Sequence, residues 1–123
     1  MTTARGPFPQ TRMRRLRAQP FARALVSENT LAAQDLIYPV FVLEGAQQRD
    51  IVASMPGIER LSVDLLIEQA REAADLGVSA FALFPVVGAE HKSLLAEAAW
   101  SPDGLVQRTV PALNDALPEL GIM

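Results

Sequence analysis

Two continuous apolar runs, Leu36–Leu43 (LIYPVFVL) and Ala80–Val87 (AFALFPVV), constrain this chain more than any other feature. A strand that is apolar at every position has to be covered on both faces, so such runs belong inside a sheet. Between them lies one amphipathic stretch. Val63, Leu66, Ile67, Ala70, Ala74 and Gly77 fall at i, i+3, i+4, i+7, i+11 and i+14, on a single helical stripe. Ser62 is placed to cap the start of that helix and Gly77 to end it. Strand, helix and strand with short connections make the βαβ unit of a parallel sheet. Pro39 cannot donate to a ladder, so it is expected to mark the beginning of the first strand, with Val40–Leu43 as its paired portion. The stretch after Glu44–Gly45 reads as polar connection, and Ser54-Met55-Pro56-Gly57 as a turn.

Beyond the second run, Gly88 to Gly104 is long and mixed and closes in a Ser101-Pro102-Asp103-Gly104 turn. A further helix is expected over about Leu105 to Leu117. Pro111 inside it predicts either a kink or a fresh start with Pro111 near the first position. Leu120–Met123 reads as the opening of a third strand. A half-made strand leaves unpaired backbone groups, so the sequence reads as cut from a longer one. The fold class is α/β: a basic N-terminal arm followed by an incomplete parallel sheet.

The arm is defined by charge. Residues 1–27 carry six arginines (Arg5, Arg12, Arg14, Arg15, Arg17, Arg23) and no acid, while the remainder holds five cations and all 14 acids. A basic arm on an acidic body has three natural partners: nucleic acid, a membrane surface, or the body of another copy. Arg12, Arg14, Arg15 and Arg17 have no interleaved aromatics and no helix-turn-helix beside them, which favours protein over nucleic acid. Pro7, Pro9 and Pro20 break up any amphipathic transit helix. No apolar run reaches the roughly 18–20 residues of a membrane span. These points predict a cytoplasmic protein that binds neither membrane nor nucleic acid. To about Gln19 the arm reads as extended, and residues 20–26 as one or two helical turns with Pro20 at the start.

Little here offers chemistry. The chain has no cysteine, one histidine (His91) and one lysine (Lys92), so a disulfide framework and a Cys/His zinc site within it are excluded. Lys92 would need burial to serve as a Schiff-base amine, yet Glu90-His91-Lys92-Ser93 is a polar loop in which His91 and Lys92 are both expected to be solvated. Glu90, Glu97 and Asp103 follow the second strand, on the side where parallel folds put their sites, but fit no oxygen-ligand loop. Gly88 alone makes no phosphate cradle, and no Gly-x-Ser-x-Gly elbow occurs. The residues by themselves assemble no active site.

Several segments in order resemble one family. Arg12-Met13-Arg14-Arg15-Leu16-Arg17, Glu28-Asn29-Thr30-Leu31 and Asp35-Leu36-Ile37-Tyr38-Pro39-Val40-Phe41-Val42 are similar to the start of bacterial delta-aminolevulinic acid dehydratase, or porphobilinogen synthase. Ser54 to Ser62 continues in register, as do Gly77, Ala82-Leu83-Phe84-Pro85-Val86, Lys92-Ser93, Pro102-Asp103-Gly104, Gln107-Arg108 and Pro118-Glu119-Leu120-Gly121. The resemblance runs from about residue 12 to the last residue and covers roughly the first third of the family's length. His91, where the family commonly has lysine, and Pro111, inside a helix usually uninterrupted, depart from the pattern.

The resemblance implies a TIM (β/α)8 barrel behind an N-terminal arm. Residues 1–35 are then the arm with its short helical turn, and 36–123 the first two to three βα units of the barrel. It further implies a homo-octamer in which arms embrace neighbouring subunits. The implied reaction condenses two 5-aminolevulinate molecules to porphobilinogen with loss of two waters, through two Schiff-base lysines, in tetrapyrrole (haem) biosynthesis. Zinc or magnesium is implied for the complete enzyme. None of the family's Schiff-base lysines or metal ligands maps onto this chain, and Lys92 matches a non-catalytic lysine. Phe84, at the end of the second barrel strand, is the one residue expected at the substrate pocket, as a wall; a buried core phenylalanine is the other reading. The 123 residues alone are expected to be inactive. The alternative function is a non-catalytic truncated partner that docks on full-length subunits through Arg12, Arg14, Arg15 and Arg17.

Overall fold

The computed structural model describes residues 6–12 and 14–123. Arg5 and Met13 of the arm lie outside the described residues. The chain divides into two compact units, one ending at Leu31 and one running from Ala32 to Met123.

In the first unit, α1 (Arg15–Ala18) and α2 (Pro20–Leu25) are short helices. Pro20 sits at the start of α2, where its missing N–H costs nothing, as the sequence predicts. The arm is not extended as far as Gln19, however. Arg15-Leu16-Arg17-Ala18 are all good helix formers and make a turn of their own. Gln19, immediately before proline, takes the extended backbone (φ −113°, ψ 145°) that separates the two helices. Within this unit the Arg12 guanidinium lies over the Phe8 ring at 5.5 Å, and Arg23 Nη1 donates to the Arg17 carbonyl at 2.9 Å.

The second unit is a five-stranded sheet with helices on one face. Its strands are β1 (Ile37–Leu43), β2 (Arg49–Ile51), β3 (Glu59–Ser62), β4 (Ala80–Pro85) and β5 (Gly121–Ile122), in the order β2-β3-β1-β4-β5. β1 pairs in parallel with β4 from Ile37↔Ala80 to Val42↔Pro85, and β4 pairs in parallel with β5 through Ala80↔Gly121 and Phe81↔Ile122. The expected βαβ order and the third strand are both present. Between β3 and β4 runs α3 (Val63–Asp75); α4 (Glu97–Trp100) is a single turn; α5 (Leu105–Ala116) leads into β5.

Helix α3 ends as its sequence dictates. Gly77 adopts φ +92°, its N–H bonds to Ala74, and the Val78 N–H bonds to Ala73, which closes both last carbonyls. A side chain at Gly77 would also press on Ala33, whose Cβ lies 3.2 Å from where a Cβ would stand. The buried stripe of α3 is Leu66, Ala70 and Ala73, so Ala73 replaces the expected Ala74 in its last turn. These residues meet Val40, Val42, Leu61, Phe81, Leu105, Leu113 and Leu120 in one core. Tyr38 meets the Phe81 ring edge-on at 5.3 Å.

Three expectations are corrected. Pro39 lies inside β1 rather than at its start, and pairing with β4 begins two residues earlier. It is tolerated because β3 flanks β1 only from Phe41 to Leu43, leaving Pro39 on an edge. The polar stretch after Gly45 is not plain connection. β2 and β3 form an antiparallel hairpin (Arg49↔Leu61, Asp50↔Arg60, Ile51↔Glu59) around the expected Ser54–Gly57 turn. Its cross-strand ion pairs Arg49–Glu59 at 2.6 Å and Arg60–Asp50 at 2.5 Å hold a ribbon with little apolar content. Finally, of the two expectations for Pro111 the fresh start does not occur: α5 is one helix from Leu105 to Ala116. It runs through Pro111, which lies on the exposed side while Thr109 and Leu113 face the core.

Candidate functional site

Parallel sheets place their sites at the carboxyl ends of the strands. Here that end is formed by Leu43–Glu44 after β1, Phe84–Val86 at the end of β4, and the start of α3 after β3. Because side chains alternate along a strand, Val40, Val42 and Phe81 turn toward α3 and α5, and Phe41 and Phe84 turn the opposite way. Phe41 and Phe84 are register partners with ring centroids 5.9 Å apart and planes inclined at 48°. Phe84 remains 49% exposed. Its ring lies on the sheet face opposite α3 and α5.

A polar cluster borders the same end. Asp64, in the first turn of α3, accepts from the Gln47 backbone N–H at 2.9 Å, from Gln47 Nε2 at 2.5 Å and from Ser62 Oγ at 2.5 Å. The Ser62 hydroxyl and these Gln47 donors hold the Asp64 carboxyl at about 2, below its ordinary 3.8. Ser62 is fully buried, accepts from the Gln48 N–H at 3.0 Å, and donates its own N–H to the Gln48 carbonyl at 3.0 Å. Thus Ser62 does stand at the cap position, but its hydroxyl serves the loop and Asp64 rather than the helix backbone. Glu44 forms an ion pair with Arg108 of α5, whose Nε donates to the Asp103 carbonyl at 3.0 Å. Reading the sequence missed Gln47, Asp64, Glu44 and Arg108. The Ser62-x-Asp64 spacing at a helix start was the one available signal.

The titratable residues of the loop after β4 are not drawn into this cluster. His91 and Lys92 are exposed, and His91 Nε2 stands 3.7 Å from the Glu90 carboxylate beside it. Glu97 accepts from Ser93 Oγ, which lowers its carboxyl pKa. Trp100 Nε1 donates to the Leu95 carbonyl at 3.4 Å, and Gln107 Nε2 to Ala99 at 2.7 Å, so the loop is tied to itself and to α5. Among the described residues no three His, Cys, Asp or Glu side chains gather to hold a metal ion. No described helix is long and apolar enough to cross a membrane.

In the N-terminal unit Arg12, Arg14 and Arg17, with Phe8, Thr11 and Ala18, line an open depression of about 940 Å³, and Arg15 is exposed on α1. Leu16, Phe21 and Leu25 are also exposed.

Comparison with known proteins places these features. Residues 10–123 match the family model of delta-aminolevulinic acid dehydratase. The chain is 42% identical over 116 residues to the delta-aminolevulinic acid dehydratase of Synechocystis sp., covering 94% of this chain and 35% of that protein. It is 40% identical to the Streptomyces coelicolor enzyme, covering 97% and 35%. Among solved structures, the Toxoplasma gondii delta-aminolevulinic acid dehydratase (porphobilinogen synthase), in complex with its reaction product porphobilinogen, superposes with a TM-score of 0.82 at 42% identity. That match covers 92% of this chain and 32% of the other. The chain spans about a third of the length of the relatives it matches.

Proposed function

Because the chain belongs to the delta-aminolevulinic acid dehydratase family, we propose that it is the N-terminal part of a porphobilinogen synthase subunit, which condenses two 5-aminolevulinate molecules with loss of two waters. Its sheet matches the N-terminal part of the porphobilinogen synthase TIM barrel, and the barrel is incomplete in this chain. The observation that carries the reading is the continuous family match over residues 10–123, at 42% identity to a structure holding porphobilinogen.

In this reading the chain supplies scaffold rather than reacting groups. Its sole lysine, Lys92, is solvated on a loop, so the two Schiff-base lysines belong to the remainder of the barrel. The zinc or magnesium of the complete enzyme is assigned to ligands in the remainder of the subunit, since none of the family's metal ligands maps onto this chain. Phe84, aromatic and half exposed at the strand end, forms a wall of the substrate pocket. The arm, with Arg12, Arg14, Arg15 and Arg17 and exposed Leu16, Phe21 and Leu25, docks on a neighbouring subunit of a homo-octamer in the cytoplasm. The same arm supports a second reading for the 123 residues on their own, a non-catalytic partner that docks on full-length subunits.

The test is porphobilinogen formation from 5-aminolevulinate. The full-length polypeptide carrying this chain is expected to form it and the 123 residues alone are not. A full-length polypeptide that forms none contradicts the proposal.

A further inference from the structure

The loop that leaves β1 toward the hairpin is held in an unfavourable shape. Gly45 has φ +101° and Gln47 φ +54°. The second value lies in the left-handed region that residues with a side chain avoid, and such conformations persist only where surrounding contacts over-determine them. The contacts here are explicit. Asp64 takes both the backbone N–H and the side-chain amide of Gln47, and Ser62 takes and returns hydrogen bonds with Gln48 on the next residue. Asp64 and Ser62 stand on the first turn of α3 and at the end of β3, two rigid elements. The loop is thus clamped from a scaffold rather than by its own residues.

Its other end meets the site. Glu44 is the first residue after β1, two beyond Val42, whose carbonyl accepts from the Val86 N–H at 2.8 Å just past Phe84. From there Glu44 reaches Arg108, and Arg108 reaches the Asp103 carbonyl in the turn before α5. Asp64 and Arg108 therefore tie the loop after β1 to the starts of α3 and α5, at the carboxyl end of the strands.

We propose that Asp64 is a positioning residue: by clamping Gln47 in its left-handed conformation it sets the loop 44–48, which leaves the carboxyl end of β1, where a parallel fold places its site. Asp64 touches no substrate and acts only through the loop. The inference rests on the proposed porphobilinogen synthase activity for its functional consequence but not for its geometry.

The test uses the full-length polypeptide. Asp64→Ala is expected to raise the KM for 5-aminolevulinate about tenfold, more than it lowers kcat, because it misplaces a loop at the strand ends rather than a reacting group. In hydrogen exchange the Gln47 and Gln48 amides lose protection while those of β1 and β4 keep theirs. Gln47→Ala alone gives a smaller rise in KM, and in the Asp64→Ala background it adds nothing, since both changes break one contact. Unchanged KM overturns the proposal, as does loss of protection throughout the sheet, which marks a general structural role. If Asp64→Ala does not fold, Gln47→Ala carries the same readouts, and no change in either KM or Gln48 exchange overturns it. If the unsubstituted polypeptide forms no porphobilinogen, the functional reading fails, and exchange at Gln47 and Gln48 alone decides whether Asp64 holds the loop.

Discussion

Phe81 and Phe84 stand three residues apart on one strand and face opposite sides of the sheet: Phe81 is fully buried against α3 and α5, and Phe84 is half exposed beside Phe41. The same residue type therefore meets two environments within β4. Phe81→Ala is expected to cost about 3–5 kcal/mol of folding stability, the range for emptying a packed aromatic site. Phe84→Ala should cost much less stability and, in the full-length polypeptide, lower kcat/KM for 5-aminolevulinate about tenfold. Denaturant unfolding and steady-state kinetics on both variants separate the two roles.

Asp64 carries a pH signature. Its folded carboxyl pKa of about 2 lies below the ordinary 3.8, so ionised Asp64 favours the folded state. That contribution is complete above the unfolded value and is lost as pH falls through about 4 toward 2. The stability difference between wild type and Asp64→Asn is expected to be constant from pH 7 to 5, to shrink from about pH 4 and to be lost only below about pH 2. A difference that stays constant down to pH 2 would show that the carboxylate is not what holds Gln47.

Pro111 gives a stabilising prediction. It has no N–H to offer the Gln107 carbonyl four residues back, although α5 continues through it. Pro111→Ala restores that donor on an exposed position, and the variant is expected to gain about 1–3 kcal/mol. Unfolding midpoints that match wild type would mean the helix has already relaxed around the ring.

How much of this was legible in the sequence follows the strength of the local signal. β1, α3 and β4 were, because apolar runs of eight residues and a six-position helical stripe have no other economical burial. The β2–β3 hairpin was not. Arg49, Asp50, Glu59 and Arg60 pair by charge across the ribbon, and alternating hydrophobicity, the usual mark of a strand, is missing. Pro39 was misread for a related reason: whether a proline fits a strand depends on the neighbour it faces, which no local window contains. The position of Phe84 at the strand end was legible from its place in an apolar run. The Asp64 clamp joins residues 17 apart and the Glu44–Arg108 pair residues 64 apart, so neither leaves a local pattern.

The arm yields a prediction about assembly. Replacing Arg12, Arg14, Arg15 and Arg17 with glutamine in the full-length polypeptide is expected to shift sedimentation toward smaller species. Raised salt should do the same to the unsubstituted protein, because exposed charge contacts are screened. Sedimentation unaffected by the four substitutions would remove the arm as the contact.

As proposed, residues 1–123 are scaffold of a porphobilinogen synthase whose reacting amines lie elsewhere in the barrel. Borohydride reduction in the presence of isotope-labelled 5-aminolevulinate tests it most directly, because it fixes Schiff bases where they form. Label is expected on lysines of the full-length polypeptide outside residues 1–123, with Lys92 unlabelled. Label on Lys92 would contradict it.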